Sequence, residues 1–113
     1  MTPDTLLREL RELDSELHSS RVTAYYRTQS AASRERFVAL RAYVAKALAD
    51  ATHARLGELA GALEEHDQEI GEAIKGAKDA VRRLEGAVKT MNVVGDLLTV
   101  LAQVVPGVLD RAL

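Results

Sequence analysis

The sequence predicts an all-α fold, a long antiparallel helical hairpin or a small helical bundle with coiled-coil-like seams, and three observations carry that prediction. Proline occurs only at Pro3 and Pro106, so nothing between them forbids a helix. Apolar residues recur at alternating spacings of three and four along most of the chain. Alternating β-branched runs bounded by turn dipeptides, the mark of strands, do not occur. A length of 113 residues suits a single helical domain spanning 1–113, with segments expected at about 3–28, 33–50, 53–91 and 96–106.

The first helix has a clear start. Thr2 can cap it, Pro3 suits the first helical position because its missing N–H has no partner there, and Asp4 favours the positive end of the helix dipole. Leu6, Leu10, Leu13 and Leu17 then form one narrow apolar seam among charged neighbours, the pattern of a helix that meets another helix. From His18 to Ser33 the small polar residues loosen the period, and a bend is expected within Thr28 to Ser33.

The period returns with Phe37, Leu40, Val44, Leu48 and Ala51. The charge is lopsided here: Arg21, Arg27, Arg34, Arg36, Arg41 and Lys46 face the single acid Glu35, and Tyr25, Tyr26, Phe37 and Tyr43 lie among them. From Glu58 to Glu72 the sign reverses, with Glu58, Glu64, Glu65, Asp67, Glu69 and Glu72 and no Lys or Arg. The preferred reading makes the two blocks antiparallel neighbours that neutralise each other, turning near Asp50 to His53 with Asp50 or Thr52 as the cap. The competing reading makes Arg27, Arg34, Arg36 and Arg41, interleaved with the tyrosines, an anion-binding surface for phosphates and stacked bases or for anionic lipid. A net charge of −2 ranks nucleic acid low as a partner.

Leu56, Leu59, Leu63, Ile70, Ile74, Ala77, Val81, Leu84, Val88 and Met91 keep a heptad for roughly five repeats, so one long helix is expected up to Met91. Gly57, Gly61, Gly71, Gly76 and Gly86 within it imply close packing or built-in flexibility. Asn92 or Gly95 can then end that helix and Asp96 cap the next, which Pro106-Gly107 would stop. Leu109 and Leu113 belong to a short tail.

Asn92 to Leu109 is the only long, nearly uncharged run. Asn92, Asp96, Thr99 and Gln103 make a thin polar stripe on it, and valines and leucines cover the rest. Such a helix must be wrapped by other helices, other subunits or lipid. Buried in a protein core, the stripe would fix the register between helices. In a membrane it could line water while the apolar face meets lipid. The run is shorter than the roughly 20 apolar residues of a comfortable span and contains Asp96, which ranks the membrane second to the protein core.

Chemistry is sparse. The absence of cysteine removes disulfides and thiolate metal sites, and a cytoplasmic location is expected. The N-terminal residues lack a basic segment followed by an apolar run, so they read as part of the fold and not as a secretory signal. His18, His53 and His66 each have an acid at helical spacing, but the sequence has no Glu-x-x-His pair, nucleophile elbow or phosphate loop, so no enzyme, cofactor or metal site is expected. The expected function is a self-associating helical scaffold or adaptor with a homo-oligomeric or helical protein partner. Leu6, Leu10, Leu13, Leu17, Val94, Leu97, Leu98, Leu101 and Val105 would be its contact residues. A membrane-active protein using the 92–109 segment is the alternative.

Overall fold

A computed structural model of the protein, in which residues 1–105 and 108 are described, contains five helices that pack as a small bundle. They are α1 (Pro3–Leu17), α2 (Ser20–Arg27), α3 (Ala31–Thr52), α4 (Leu56–Arg82) and α5 (Ala87–Leu101). Local chemistry explains most of the boundaries. The Thr2 hydroxyl accepts from the Thr5 N–H at 3.1 Å and caps α1, with Pro3 at the first helical position. Ser19 and Ser30 cap α2 and α3 in the same way, accepting from Val22 and Ser33. The chain therefore breaks at His18–Ser19, where a continuous helix was expected, and again at Thr28–Ser30 inside the stretch of small polar residues.

Four helices form a ring in which α1 packs on α3, α3 on α5, α5 on α4 and α4 on α1, while short α2 lies against α1 and α3. Ion pairs joining Glu9 and Glu12 to Lys78, and Glu16 to Arg82, advance together along both helices, so α1 and α4 run parallel. Position 76 of α4 faces Val93 of α5 across a tight turn, so those two are antiparallel. One stripe of each helix fills the centre: Leu6, Leu10, Leu13 and Leu17; Phe37, Leu40, Val44, Ala47 and Ala51; Leu59, Leu63, Ile70, Ile74, Ala77 and Val81; Val94, Leu97, Leu98 and Leu101.

Several sequence expectations are corrected. α3 and α4 occupy opposite corners of the ring, so the basic and acidic blocks do not neutralise each other. The turn between them falls at His53–Arg55, but neither Asp50 nor Thr52 caps α4; Arg55 stands at that position without a side-chain cap bond. The long heptad is not one helix. It bends at His66, whose φ of −117° and ψ of 16° leave the helical range, and the seam skips from Leu63 to Ile70 across this point.

That heptad stops altogether at Arg83, where Leu84 adopts a left-handed φ of 55°. The Glu85 N–H reaches back to the Ala80 carbonyl at 3.2 Å, the six-to-one bond of a Schellman turn, with leucine where glycine is usual. Two hydroxyls secure the turn: Tyr26 at 3.1 Å and Thr90 at 3.2 Å both donate to the Glu85 carbonyl. α5 consequently runs unbroken through Asn92, Gly95 and Asp96, none of which ends or begins a helix. Of the glycines expected to allow close packing, only Gly76 has a neighbour where a side chain would go, Val93 Cγ1 at 3.6 Å. The residues Pro106, Gly107, Leu109 and Leu113 lie outside those described.

Candidate functional site

The nine residues expected to contact a partner are core residues of a single chain. Leu6, Leu13, Leu17 and Leu101 have no exposed surface, Leu10, Val94, Leu97 and Val105 have 1%, and Leu98 has 7%. The chain's own helices wrap α5, so these side chains are spent on folding and offer no face to a partner helix. The polar stripe is corrected too. Asn92, Asp96, Thr99 and Gln103 are all exposed, so the stripe is the solvent face of α5 and sets no register inside a core; the Thr99 hydroxyl donates to Gly95 O of its own helix at 3.0 Å.

The basic-aromatic segment is also partly consumed by folding. Phe37 and Tyr26 are buried and stack at 4.0 Å with rings 10° apart, and Tyr25 meets Tyr26 edge-on at 5.1 Å. The Arg41 guanidinium lies 4.2 Å from the Phe37 ring centroid. It donates to Leu17 O at 2.9 Å and to the Thr23 hydroxyl at 2.7 Å, closing the exposed carbonyl end of α1. Burial lowers the Arg41 pKa, partly opposed by Asp14, and leaves it charged at any ordinary pH. Arg34 donates to Gln29 O at 2.7 Å. Only Arg27 and Arg36 of the expected anion-binding set are exposed without a hydrogen bond or ion pair to the described residues. The four arginines thus form no common site.

Charge is instead organised between α1 and α4. The Lys78 ammonium, with 8% of its side chain exposed, pairs with both Glu9 and Glu12, and Arg82 Nε donates to Glu16 at 2.7 Å. Burial opposes the Lys78 charge, but the hydrogen bonds it donates to Glu12 and Glu9, with the charges of those carboxylates, together outweigh it and hold the pKa above its ordinary value. The hydrogen bond from Lys78 and its charge hold Glu12 below the usual carboxylate range. The signs define two limbs. The Glu12 contribution is present above the unfolded carboxylate pKa and is lost as pH falls through the lowered one. The Lys78 contribution is present below the unfolded lysine pKa and is lost as pH rises through the raised one. Urea midpoints should therefore fall at both extremes of pH, and Lys78→Met should flatten both limbs. Limbs of unchanged steepness in that variant would remove Lys78 as their origin.

Two further surface features involve α3. Its inner seam has a twin on the opposite side: Ala31, Val38, Ala42, Ala45 and Ala49 are exposed, at spacings of seven, four, three and four, and Val38 is 65% exposed. This outer seam was legible as a second heptad but is mostly alanine, which the eye passes over in helical sequence. The other feature is a groove of about 380 Å³ between α3 and α5, floored by Leu40, Val94 and Leu98. Arg36 and Tyr43 form one rim, and Val88, Asn92 and Gly95 the other.

No family model, characterised protein or solved structure matches the chain. The site must be judged on its own chemistry. Among the described residues no group of three His, Cys, Asp or Glu side chains could hold a metal ion, and the two closest His–acid pairs, His18–Asp14 at 3.7 Å and His66–Glu69 at 4.0 Å, are separate. No described helix is long and apolar enough to cross a membrane.

Proposed function

We propose that the protein is a non-enzymatic helical scaffold that self-associates, two copies meeting antiparallel through the outer face of α3 near Ala42. The supporting observation is the exposed seam Val38, Ala42, Ala45 and Ala49 on a helix already apolar on its buried side. A helix that is apolar on opposite faces has one face left to cover, and small residues let a second helix approach closely. The charge pattern selects the antiparallel arrangement. Arg34 and Arg36 lie in the first half of α3, while its second half carries Lys46 paired with Asp50 at 2.8 Å. Turning the second copy end for end puts the two arginine clusters roughly 20 Å apart, beyond the Debye length of about 8 Å in physiological salt. It also brings Glu35 of each copy beside Lys46 of the other.

Light scattering across a dilution series tests the proposal. The protein should weigh twice one chain and dissociate on dilution. Val38→Glu should weaken pairing by about a hundredfold, because each dimer loses two apolar contacts of ~1.5 kcal/mol. The substituted monomer should stay folded, since position 38 faces solvent and Glu suits a helix better than Val. A monomer at every concentration, or a dimer indifferent to Val38→Glu, would overturn it.

A further inference from the structure

We infer that the groove between α3 and α5 binds a carboxylate carried on an unbranched alkyl chain, with Arg36 taking the head and the groove the tail. The groove lies on another side of α3 from the seam Val38, Ala42, Ala45 and Ala49, and shares with the pairing argument only the charge of Arg36. The floor is strongly apolar: Leu40 and Val94 are each 1% exposed, Leu98 7%, and Met91 adds a flexible thioether wall. The volume of about 380 Å³ falls within the range of small-molecule sites, which pair mainly apolar linings with a few polar groups.

The charged group of the described lining, Arg36, lies toward one end. α3 and α5 run in the same direction here: Tyr26, stacked on Phe37 early in α3, donates to the Glu85 carbonyl just before α5, whereas Asp50 near the end of α3 shares a pocket with Val104 just past the end of α5. Arg36 and Val88, each early in its helix, therefore lie toward one end of the groove. Arg36 has no ion-pair partner among the described residues, and its planar fork matches a carboxylate. Beyond that end the described lining residues are uncharged. A single cation among the described lining residues suits a ligand with one anionic end.

Gly95 keeps the trough open. A Cβ built at this position meets nothing within 4 Å, so the absence of a side chain is not required by packing. A glycine in mid-helix is unfavourable relative to other residues, yet here it leaves room where a side chain would fill the groove. Val88, 54% exposed on the rim, would be covered by a bound chain.

Calorimetric titration of the full chain with dodecanoate, below the concentration at which it forms micelles, tests the inference. Saturable binding at one site per chain is expected, tightening by about two- to fourfold for each methylene from octanoate to dodecanoate. Dodecyltrimethylammonium, with the same tail and the opposite charge, should bind about tenfold more weakly or worse, and Arg36→Glu should reverse that preference. Gly95→Leu should abolish binding while leaving the helical content and melting temperature unchanged or raised. Absence of saturable binding would overturn the assignment. So would equal affinity for the two head groups, or binding that survives Gly95→Leu in a folded protein.

Discussion

Leu101→Asp is expected to unfold the protein and not merely to separate subunits. Leu101 has no exposed surface and sits in the central cluster with Leu97, Leu98 and Val105. Removing a buried leucine costs about 2–5 kcal/mol, and a carboxylate put in its place must be desolvated or protonated at further cost. The total, on the order of 5 kcal/mol or more, is comparable to the entire stability of a typical domain, about 5–15 kcal/mol. Circular dichroism should show loss of cooperative melting. Retained helicity with a changed molar mass would mean that position 101 serves an interface and that the chain's core lies elsewhere.

The second large effect is expected at Arg41. Its side chain joins the last carbonyl of α1, the Thr23 hydroxyl and the Phe37 ring, so Arg41→Ala removes three contacts from three elements at once. A charged hydrogen bond to a helix end and a partly shielded cation–π contact together amount to about 3 kcal/mol. Urea unfolding should register that loss. Arg41→Lys should recover only part of it, because an ammonium cannot present a planar fork to two acceptors while stacking on a ring. Full recovery by lysine would show that charge alone matters at this position.

Both effects arise where the sequence pattern is clear but its meaning is ambiguous. The seams Leu6–Leu17 and Val94–Leu101 were legible from periodicity, and they lie in the core. A heptad tells which side of a helix seeks apolar company, but not whether that company belongs to the same chain. The polar stripe of α5 carried the same ambiguity. A thin row of Asn92, Asp96, Thr99 and Gln103 is equally the wet face of a deeply packed helix or the polar thread of a buried one, and only the positions of α3 and α4 decide between them.

The missed breaks have other causes. Leu84 continues the apolar period while its backbone turns left-handed, and Gly86, expected inside the long helix, stands at the N-terminal flank of α5. What holds that turn is the Glu85 carbonyl taking hydroxyls from Tyr26 and Thr90, and the first of these is 59 residues away. No local pattern encodes such a bond. The charge blocks misled for a related reason: the three-residue turn at His53–Arg55 reverses the chain across the diagonal of the ring, so sequence neighbours became opposite corners.

The groove could be read only after the helices were in place, since Arg36, Leu40 and Tyr43 share an edge of α3 that faces Val88, Asn92 and Gly95. The outer seam of α3 is different. Its spacing was present in the sequence, but alanine contributes little to any hydrophobic signal, and Val38 alone was too small a mark.

The parallel alliance of α1 with α4 also bears on how the chain reaches this state. Its ties, Glu9 to Lys78 and Glu12 to Lys78, span 69 and 66 residues, whereas α4 and α5 are consecutive and joined by a tight turn. Closing a long loop before its contacts reward it is slow, so local pairings have the kinetic advantage. The C-terminal hairpin is therefore expected to form first and α1 to dock late, so that substitutions at the α1 ties should chiefly speed unfolding.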